Sequence, residues 1–239
     1  MTYLESIDYR TSRRSFLTTP IDQETEERMI RLISQLNVHA GLSMEYIKDG
    51  RELFSSLSKT YGLFKNVNTV IALKGPSEDP NLSEKCGYYG EQLVLEATKH
   101  CLGSCWVAGT YDKAKVDVVR GEKLICVVPI GNVMHDKSFM ERLISSRTHK
   151  KVKEIKDFYN SEAEVPDWFM RGIVAVSKAP SAKNSQRVRF EYKDSSARAY
   201  VPEELETDLI DLGIAKRHFV LASGGSFSIG NNGILTKKE

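Results

Sequence analysis

The chain has 239 residues, of which 41% are hydrophobic and 28% are charged, and its formal net charge is +2. This length can bury the core of one large domain or two small ones, and the composition is that of an ordinary globular protein. Because basic and acidic residues nearly balance, nothing in the overall charge indicates nucleic acid or an anionic membrane as a partner.

The cysteines give no sign of a metal site or a disulfide framework. Cys86, Cys101, Cys105 and Cys126 form no CxxC pair, and no histidine cluster has metal-ligand spacing. We therefore expect small buried thiols in a reducing compartment. No apolar run approaches the ~20 residues of a membrane span, and the first residues lack a signal-peptide pattern. These features predict a cytoplasmic protein.

Helix and strand signals alternate in the first half of the chain. Asp22 is typical of a helix N-cap, and apolar residues at helical spacing follow it as far as Gly41. A second helical stretch is predicted around 53–63. β-Branched apolar runs predict buried strands over 67–73 and 124–130, with a long helix over 84–102 between them.

The second half begins with a change of composition. Residues 135–164 are rich in charge and are interpreted as a connector. A helix is then predicted over 166–177, a β-hairpin over 187–201 and a last helix over 203–223. Because the order lacks the regular βαβ alternation of a doubly wound sheet, an α+β fold is favoured.

Two segments stand out as candidate binding elements. Residues 10–14, Arg-Thr-Ser-Arg-Arg, combine three guanidinium groups with hydroxyls, a donor set that suits a phosphate. In residues 179–186, small side chains allow close approach to a flat ligand, and the amides of Asn184 and Gln186 can donate and accept at the edge of a polar ring. A solvated basic turn and an ordinary loop are the alternatives.

Both segments resemble motifs of the nitroreductase family. Arg-x-Ser-x-Arg-x-Phe comprises residues 10–16 here, and the stretch Ala-Pro-Ser-x-x-Asn-Ser-Gln is present over 179–186. The resemblance implies a nitroreductase-like α+β fold that holds FMN. Its phosphate and ribityl chain would contact Arg10, Thr11, Ser12 and Arg14. Its ring and ribityl chain would face Pro180, Ser181, Ala182, Asn184 and Gln186.

Two further segments carry the resemblance more weakly. The turn over 105–109 resembles the one after the family's central helix, which implies that Ala108 and Gly109 lie near the flavin ring; a core position for Trp106 is equally open. The basic stretch over 147–151 implies extra phosphate contacts from Lys150 and Lys151, although a charged connector is the alternative. The sequence departs from the family at Arg187, where a proline is usual, which opens or charges the substrate side.

The separation of the two main segments bears on the architecture. In the family, two subunits build each site, one supplying the arginine segment and the other the Ala-Pro-Ser loop. Here residues 37–42 of the first half lack the loop pattern. We therefore predict a fold duplicated in one chain as an intramolecular pseudo-dimer, with halves 1–146 and 147–239 and a flavin between them. Residues 86–97 align without gaps with 211–222, which also favours duplication.

The resemblance implies an FMN-dependent oxidoreductase. NADH or NADPH would bind transiently and reduce the flavin, and a small electron acceptor such as a nitroaromatic or a quinone would then reoxidise it in a ping-pong cycle. No catalytic side chain is predicted, because the flavin carries the chemistry. A non-catalytic flavin-binding or storage protein is the alternative, and dehalogenation or flavin cannibalisation is a third. We expect a monomer that acts as a pseudo-dimer, with self-association left open.

Overall fold

The computed structural model describes residues 1–148 and 153–237, which form two β-sheets with helices packed between and around them. The strands of the first sheet are β1 (Glu45–Ile47), β2 (Thr69–Pro76), β3 (Gly103–Ser104) and β4 (Glu122–Gly131), in the order β1-β2-β4-β3. Those of the second are β5 (Tyr159–Ser161), β6 (Arg189–Lys193), β7 (Ser196–Tyr200), β8 (Ser226–Phe227) and β9 (Gly233–Thr236), in the order β5-β6-β7-β9-β8.

The helices are α1 (Tyr3–Tyr9), α2 (Gln23–Ala40), α3 (Leu57–Thr60), α4 (Leu82–Lys99), α5 (Phe139–Thr148), α6 (Asp167–Ser177) and α7 (Glu206–Ser223). The predicted start of α2 is confirmed, because the Asp22 side chain accepts a hydrogen bond from the Thr25 N–H. The same helix ends at Gly41, whose φ of 66° is left-handed. Within the described residues, no helix has the length and apolarity needed to cross a bilayer.

The two sheets have the same strand order apart from one added edge strand. Strands β6, β7, β9 and β8 follow the order of β1, β2, β4 and β3, and all of these neighbours are antiparallel. Helix α2 precedes β1 and helix α6 precedes β6. Likewise α4 connects β2 to β3, and α7 connects β7 to β8. The added strand β5 pairs in parallel with β6, at the edge of the second sheet. The result is an α+β fold of two similarly connected sheets.

Each sheet carries its own hydrophobic core. Met29 of α2 and Leu93 of α4 are buried against Leu73 of the first sheet. In the second core, the rings of Phe190 and Phe219 stack with centroids 4.8 Å apart. Full burial of one such side chain contributes about 1.5–3 kcal/mol. Each core buries more than ten side chains, so each stabilises its own sheet.

Helices α4 and α7 cross between the two cores at glycines. A Cβ on Gly87 would lie 2.1 Å from the Ile210 carbonyl oxygen, and one on Gly213 would lie 2.0 Å from the Glu84 carbonyl oxygen. These reciprocal contacts make Gly87 and Gly213 equivalent, whereas the sequence alignment paired Gly87 with Leu212. The register differs by one residue because the alignment matched apolar side chains, while the crossing requires a residue with no side chain.

Two predicted segments differ in the structure. The helix expected over 53–63 is a 3₁₀ turn (Arg51–Phe54) followed by the single turn of α3, because the extended Ser56 and the left-handed Tyr61 interrupt it. The charged connector over 135–164 contains α5. Its start is fixed by reciprocal bonds, in which the Ser138 N–H donates to the Glu141 carboxylate at 2.7 Å and the Glu141 N–H donates to the Ser138 hydroxyl at 3.3 Å.

Candidate functional site

The basic segment leaves α1 and runs beside the turn that follows α4. Ser12 forms an isolated parallel bridge with Ser104, and the Arg13 N–H donates to the Ser104 carbonyl oxygen at 2.8 Å. The pairing exists because the segment is extended and its backbone groups need partners. It brings residues 10–14 close to the turn over 105–109, as a shared site requires.

Glu141 of α5 fixes the conformation of the basic segment. One of its carboxylate oxygens accepts the backbone N–H groups of Arg14 at 2.6 Å and Ser15 at 3.1 Å, and the Arg13 Nε at 3.2 Å. Although burial alone would raise the pKa of Glu141, the hydrogen bonds from Arg14, Ser138 and Ser15 lower it to about 2. Arg13 is buried by this contact, so it supports the segment while Arg14 lines the cavities.

The loop after α6 is held from several sides. The Ala182 N–H donates to both carboxylate oxygens of Asp211, at 3.0 and 3.1 Å, and the Gln186 N–H donates to the Ser181 hydroxyl at 3.0 Å. The Gln186 carbonyl oxygen accepts from the Lys153 ammonium at 2.6 Å. Left-handed backbone is present at Lys183, Asn184 and Gln186, with φ between 49° and 56°. Such strain persists only where the surroundings fix the conformation.

These elements enclose two adjoining cavities, each of about 290 Å³. They share Ser12, Arg14, Pro180, Ser181 and Lys183 as walls. The first is the more cationic, with Arg10, Thr11, Asn184, Gln186 and Lys137 among its lining residues. The second adds Trp106, Ala108, Gly109, Ala182, Ile210, Asp211 and Ile214. All of the predicted site residues that the structure describes therefore line one cavity or both. Lys150 and Lys151 lie outside the described residues.

The titratable wall residues that the sequence did not predict include Lys137 and Asp211, both with shifted pKa values. Burial and the neighbouring Arg13 lower the pKa of Lys137, which faces the cationic cavity. Burial, with some contribution from Asp208, raises the pKa of Asp211 to about 7, although the Ala182 N–H opposes that rise. Neither residue belongs to a local motif, and only the Ser138-x-x-Glu141 capping pattern could have placed a structured element next to Lys137.

Trp106 is hydrogen-bonded into a buried network that links α4 and α7. Its indole N–H donates to Glu91 of α4 at 2.9 Å, and the other Glu91 oxygen lies 2.8 Å from His218 Nε2 of α7. The Arg10 Nε lies 4.0 Å from that second oxygen. Trp106 also packs against the first core and lines the second cavity. The sequence left open whether it is a core residue or a site residue, and it is both.

Two other features lie away from the cavity walls. Arg187, where the family motif has proline, pairs with Glu203 at 2.8 Å and Asp208 at 3.0 Å, so two carboxylates offset its charge. A groove of about 670 Å³ is formed by residues between 18 and 69 and contains none of the predicted site residues. Its charged residues are paired, Lys48 with the partly buried Glu26 at 3.0 Å and Arg51 with Asp49 in an exposed pair, so their charges offset each other.

Fold and cavities together define an α+β protein with a cation-rich cleft that continues into a more apolar one. The chain belongs to the nitroreductase family described as "Putative TM nitroreductase", whose family model matches residues 2–223. Membership of this family supports a flavin-dependent oxidoreductase as the general class.

Solved structures include similar folds. The crystal structure of a "putative nitroreductase" from Thermotoga maritima is 19% identical, with a TM-score of 0.65, and the match covers 98% of this chain and 92% of that one. An "FMN-dependent Nitroreductase" from Clostridium difficile R20291 is 19% identical over 56% of this chain and 88% of that one, with a TM-score of 0.47. The search of curated proteins returned no match. The first similarity supports the fold over nearly the whole chain.

Proposed function

We propose that the chain is an FMN-dependent oxidoreductase that takes electrons from NADH or NADPH and passes them to small electron-poor acceptors such as nitroaromatics or quinones. The observation that carries the proposal is the meeting of two distant segments. Residues 10–14 and 180–186 line the same pair of cavities, one cationic and one more apolar. This arrangement matches a ligand with a phosphate at one end and a flat ring at the other.

The cationic cavity fits the phosphate end. Arg10 and Arg14 supply guanidinium donors, Thr11 and Ser12 supply hydroxyls, and Lys137 adds a further charge. Among the described residues, the buried Arg10 Nε has no hydrogen-bond partner. An unpaired buried donor is costly, so an anionic ligand that accepts from it would be stabilised there.

The adjoining cavity fits the ring. Around Gly109 the site is open, since a Cβ placed there would meet no atom within 4 Å. Bound FMN would supply two-electron transfer between donor and acceptor. The protein's part is to hold and orient the group through Ala108, Gly109 and the loop over 180–186, and to limit water access through the apolar walls of Ile210 and Ile214.

We further propose that the two sheets are the halves of an intramolecular pseudo-dimer with one flavin site. The shared strand order and the reciprocal contacts of Gly87 and Gly213 support the duplication. A second site related by the same equivalence would use the start of α4 and the loop after β8. There the Lys216 ammonium lies 2.6 Å from the buried Glu84 carboxylate and also donates to the Gly230 carbonyl oxygen at 2.8 Å. Because this ion pair is buried and satisfied within the chain, it supports a single flavin site.

The proposal is tested by the visible spectrum of the purified protein and mass identification of any group released on denaturation. A yellow protein that releases about one FMN per chain, and that oxidises NADH or NADPH when an acceptor is added, would bear it out. Tight FMN binding without oxidation of either nucleotide would instead indicate a flavin-storage protein. A colourless protein that fails to take up added FMN would refute the cofactor assignment.

A further inference from the structure

The Glu91 carboxylate is fully buried and contacts a wall residue of each cavity, Arg10 of the cationic one and Trp106 of the other. Its contacts come from three parts of the chain: the Trp106 indole N–H at 2.9 Å, His218 Nε2 at 2.8 Å and Arg10 Nε at 4.0 Å. A buried carboxylate requires a compensating charge or proton. Two groups, Arg10 and His218, could provide it, and the choice between them decides the charge at the cationic cavity.

The hydrogen bonds of His218 indicate that it, and not Arg10, compensates the charge of Glu91. Its Nδ1 lies 3.1 Å from the Ala175 carbonyl oxygen, which can only accept, so Nδ1 carries a hydrogen. The 2.8 Å contact between Nε2 and Glu91 is a hydrogen bond, so one hydrogen lies between these atoms. Either a protonated His218 donates to an ionised Glu91, or a neutral His218 accepts from a protonated Glu91. The Glu91–His218 pair therefore has no net charge in either form.

Arg10 is left with its whole positive charge. Its Nε is buried and makes no hydrogen bond among the described residues, and its side chain is only 11% exposed. We infer that His218 is a positioning residue: it hydrogen-bonds to Glu91 and compensates its negative charge. Arg10 therefore does not have to pair with Glu91, and its charge is available to an anionic ligand. This inference rests on the proposed function in taking that anion to be the phosphate of FMN.

A double-mutant cycle separates this role from a general structural one. In His218→Gln, Glu91 loses its compensating group and pairs with Arg10, so the affinity for FMN falls about tenfold. In Glu91→Gln the affinity stays within about twofold of the wild type, since the amide still bonds to Trp106 and His218. The double variant regains nearly wild-type affinity, because no carboxylate remains to neutralise Arg10.

Ligand and protein controls sharpen the measurement. Riboflavin lacks the phosphate, so its affinity should be unchanged in His218→Gln, whereas inorganic phosphate should show the same loss as FMN. Glu96→Gln is the matched variant, because Glu96 is equally buried on α4 and bonds to Arg28 and Lys99, away from the cavities. It should leave all three dissociation constants unchanged. If His218→Gln does not fold, His218→Asn serves in the same cycle.

The outcomes distinguish this inference from the proposed function. Loss of FMN affinity that the double variant fails to restore, or an equal loss for riboflavin, would show that His218 is merely structural. Unchanged affinity in His218→Gln would also overturn the inference. A wild-type protein that binds phosphate but neither flavin would refute the proposed function, while the cycle measured with phosphate still decides the role of His218. A wild-type protein that binds neither flavins nor inorganic phosphate would refute both the proposed function and the role of His218.

Discussion

Gly87 and Gly213 occupy equivalent positions on the two central helices, and each lies against the backbone of the other helix. The nearest atoms to their missing side chains are the carbonyl oxygens of Ile210 and Glu84. Backbone atoms cannot move aside as the end of a flexible side chain can. The crossing of α4 and α7 therefore depends on two glycines that lie far apart in the sequence.

Gly213→Ala should lower the free energy of unfolding by about 3 kcal/mol, the upper end of the usual cost of overpacking, because the new methyl group overlaps a carbonyl oxygen. Urea denaturation followed by circular dichroism measures this change. Gly109→Ala is the control for stability, since a Cβ there meets no protein atom. Equal stability of the Gly213 and Gly109 variants would show that the helices do not pack as closely as described.

Gly109→Ala also tests the position of the ligand. Because its methyl group would enter open space in the protein, folding should be unaffected. If the flavin ring occupies that space, the affinity for FMN should fall about tenfold or more, as expected when a ligand meets an obstructing group. Fluorescence titration of FMN measures the effect. Undiminished affinity would place the ring elsewhere.

Arg14→Ala and Arg13→Ala should affect different properties. Arg14 lines both cavities, so its loss should weaken FMN retention by about 1.5–3 kcal/mol with little change in stability. Arg13 is buried against Glu141 and donates to the Asp136 carbonyl oxygen, so its loss should mainly lower stability. Arg31→Ala, at an exposed pair, is the control for both measurements. Unchanged retention in Arg14→Ala would remove this residue from the phosphate site.

Asp211→Asn should change how stability depends on pH. With a pKa of about 7 against an ordinary value of 3.8, the folded state binds more protons than the unfolded state between these pH values. The free energy of unfolding of the wild type should therefore fall as the pH of the solution rises from about 4 to 7. The neutral amide removes that loss, so Asp211→Asn should be about 4 kcal/mol more stable than the wild type at pH 8, with little difference near pH 4.

Unfolding measured across this pH range tests the prediction, and Asp194→Asn in the exposed turn between β6 and β7 is the control. That control should follow the wild-type curve. An Asp211→Asn variant with the wild-type pH dependence would mean that Asp211 is already ionised in the folded protein at pH 5.

Local signals in the sequence were enough for much of the fold. The Asp22 cap and the hairpin of β6 and β7 follow from neighbouring residues, and both are present. The contacts that build the site depend instead on partners far apart in the chain, such as Glu141 with Arg14 and Glu91 with His218. No spacing rule connects such residues, so the sequence indicated the ligand-facing side chains but not the groups that hold them in place.

The close contact of α4 and α7 has a consequence for the kinetics of ligand exchange. Because these helices meet through backbone atoms, the two sheets should not separate to admit a ligand. The loop over 180–186 is the wall that can move, since hydrogen bonds rather than backbone contact between helices hold it, among them those with Asp211, Lys153 and Arg189. The residence time of a bound group should therefore be governed by the rate at which these hydrogen bonds break, and release of the strain in the left-handed residues offsets part of that cost.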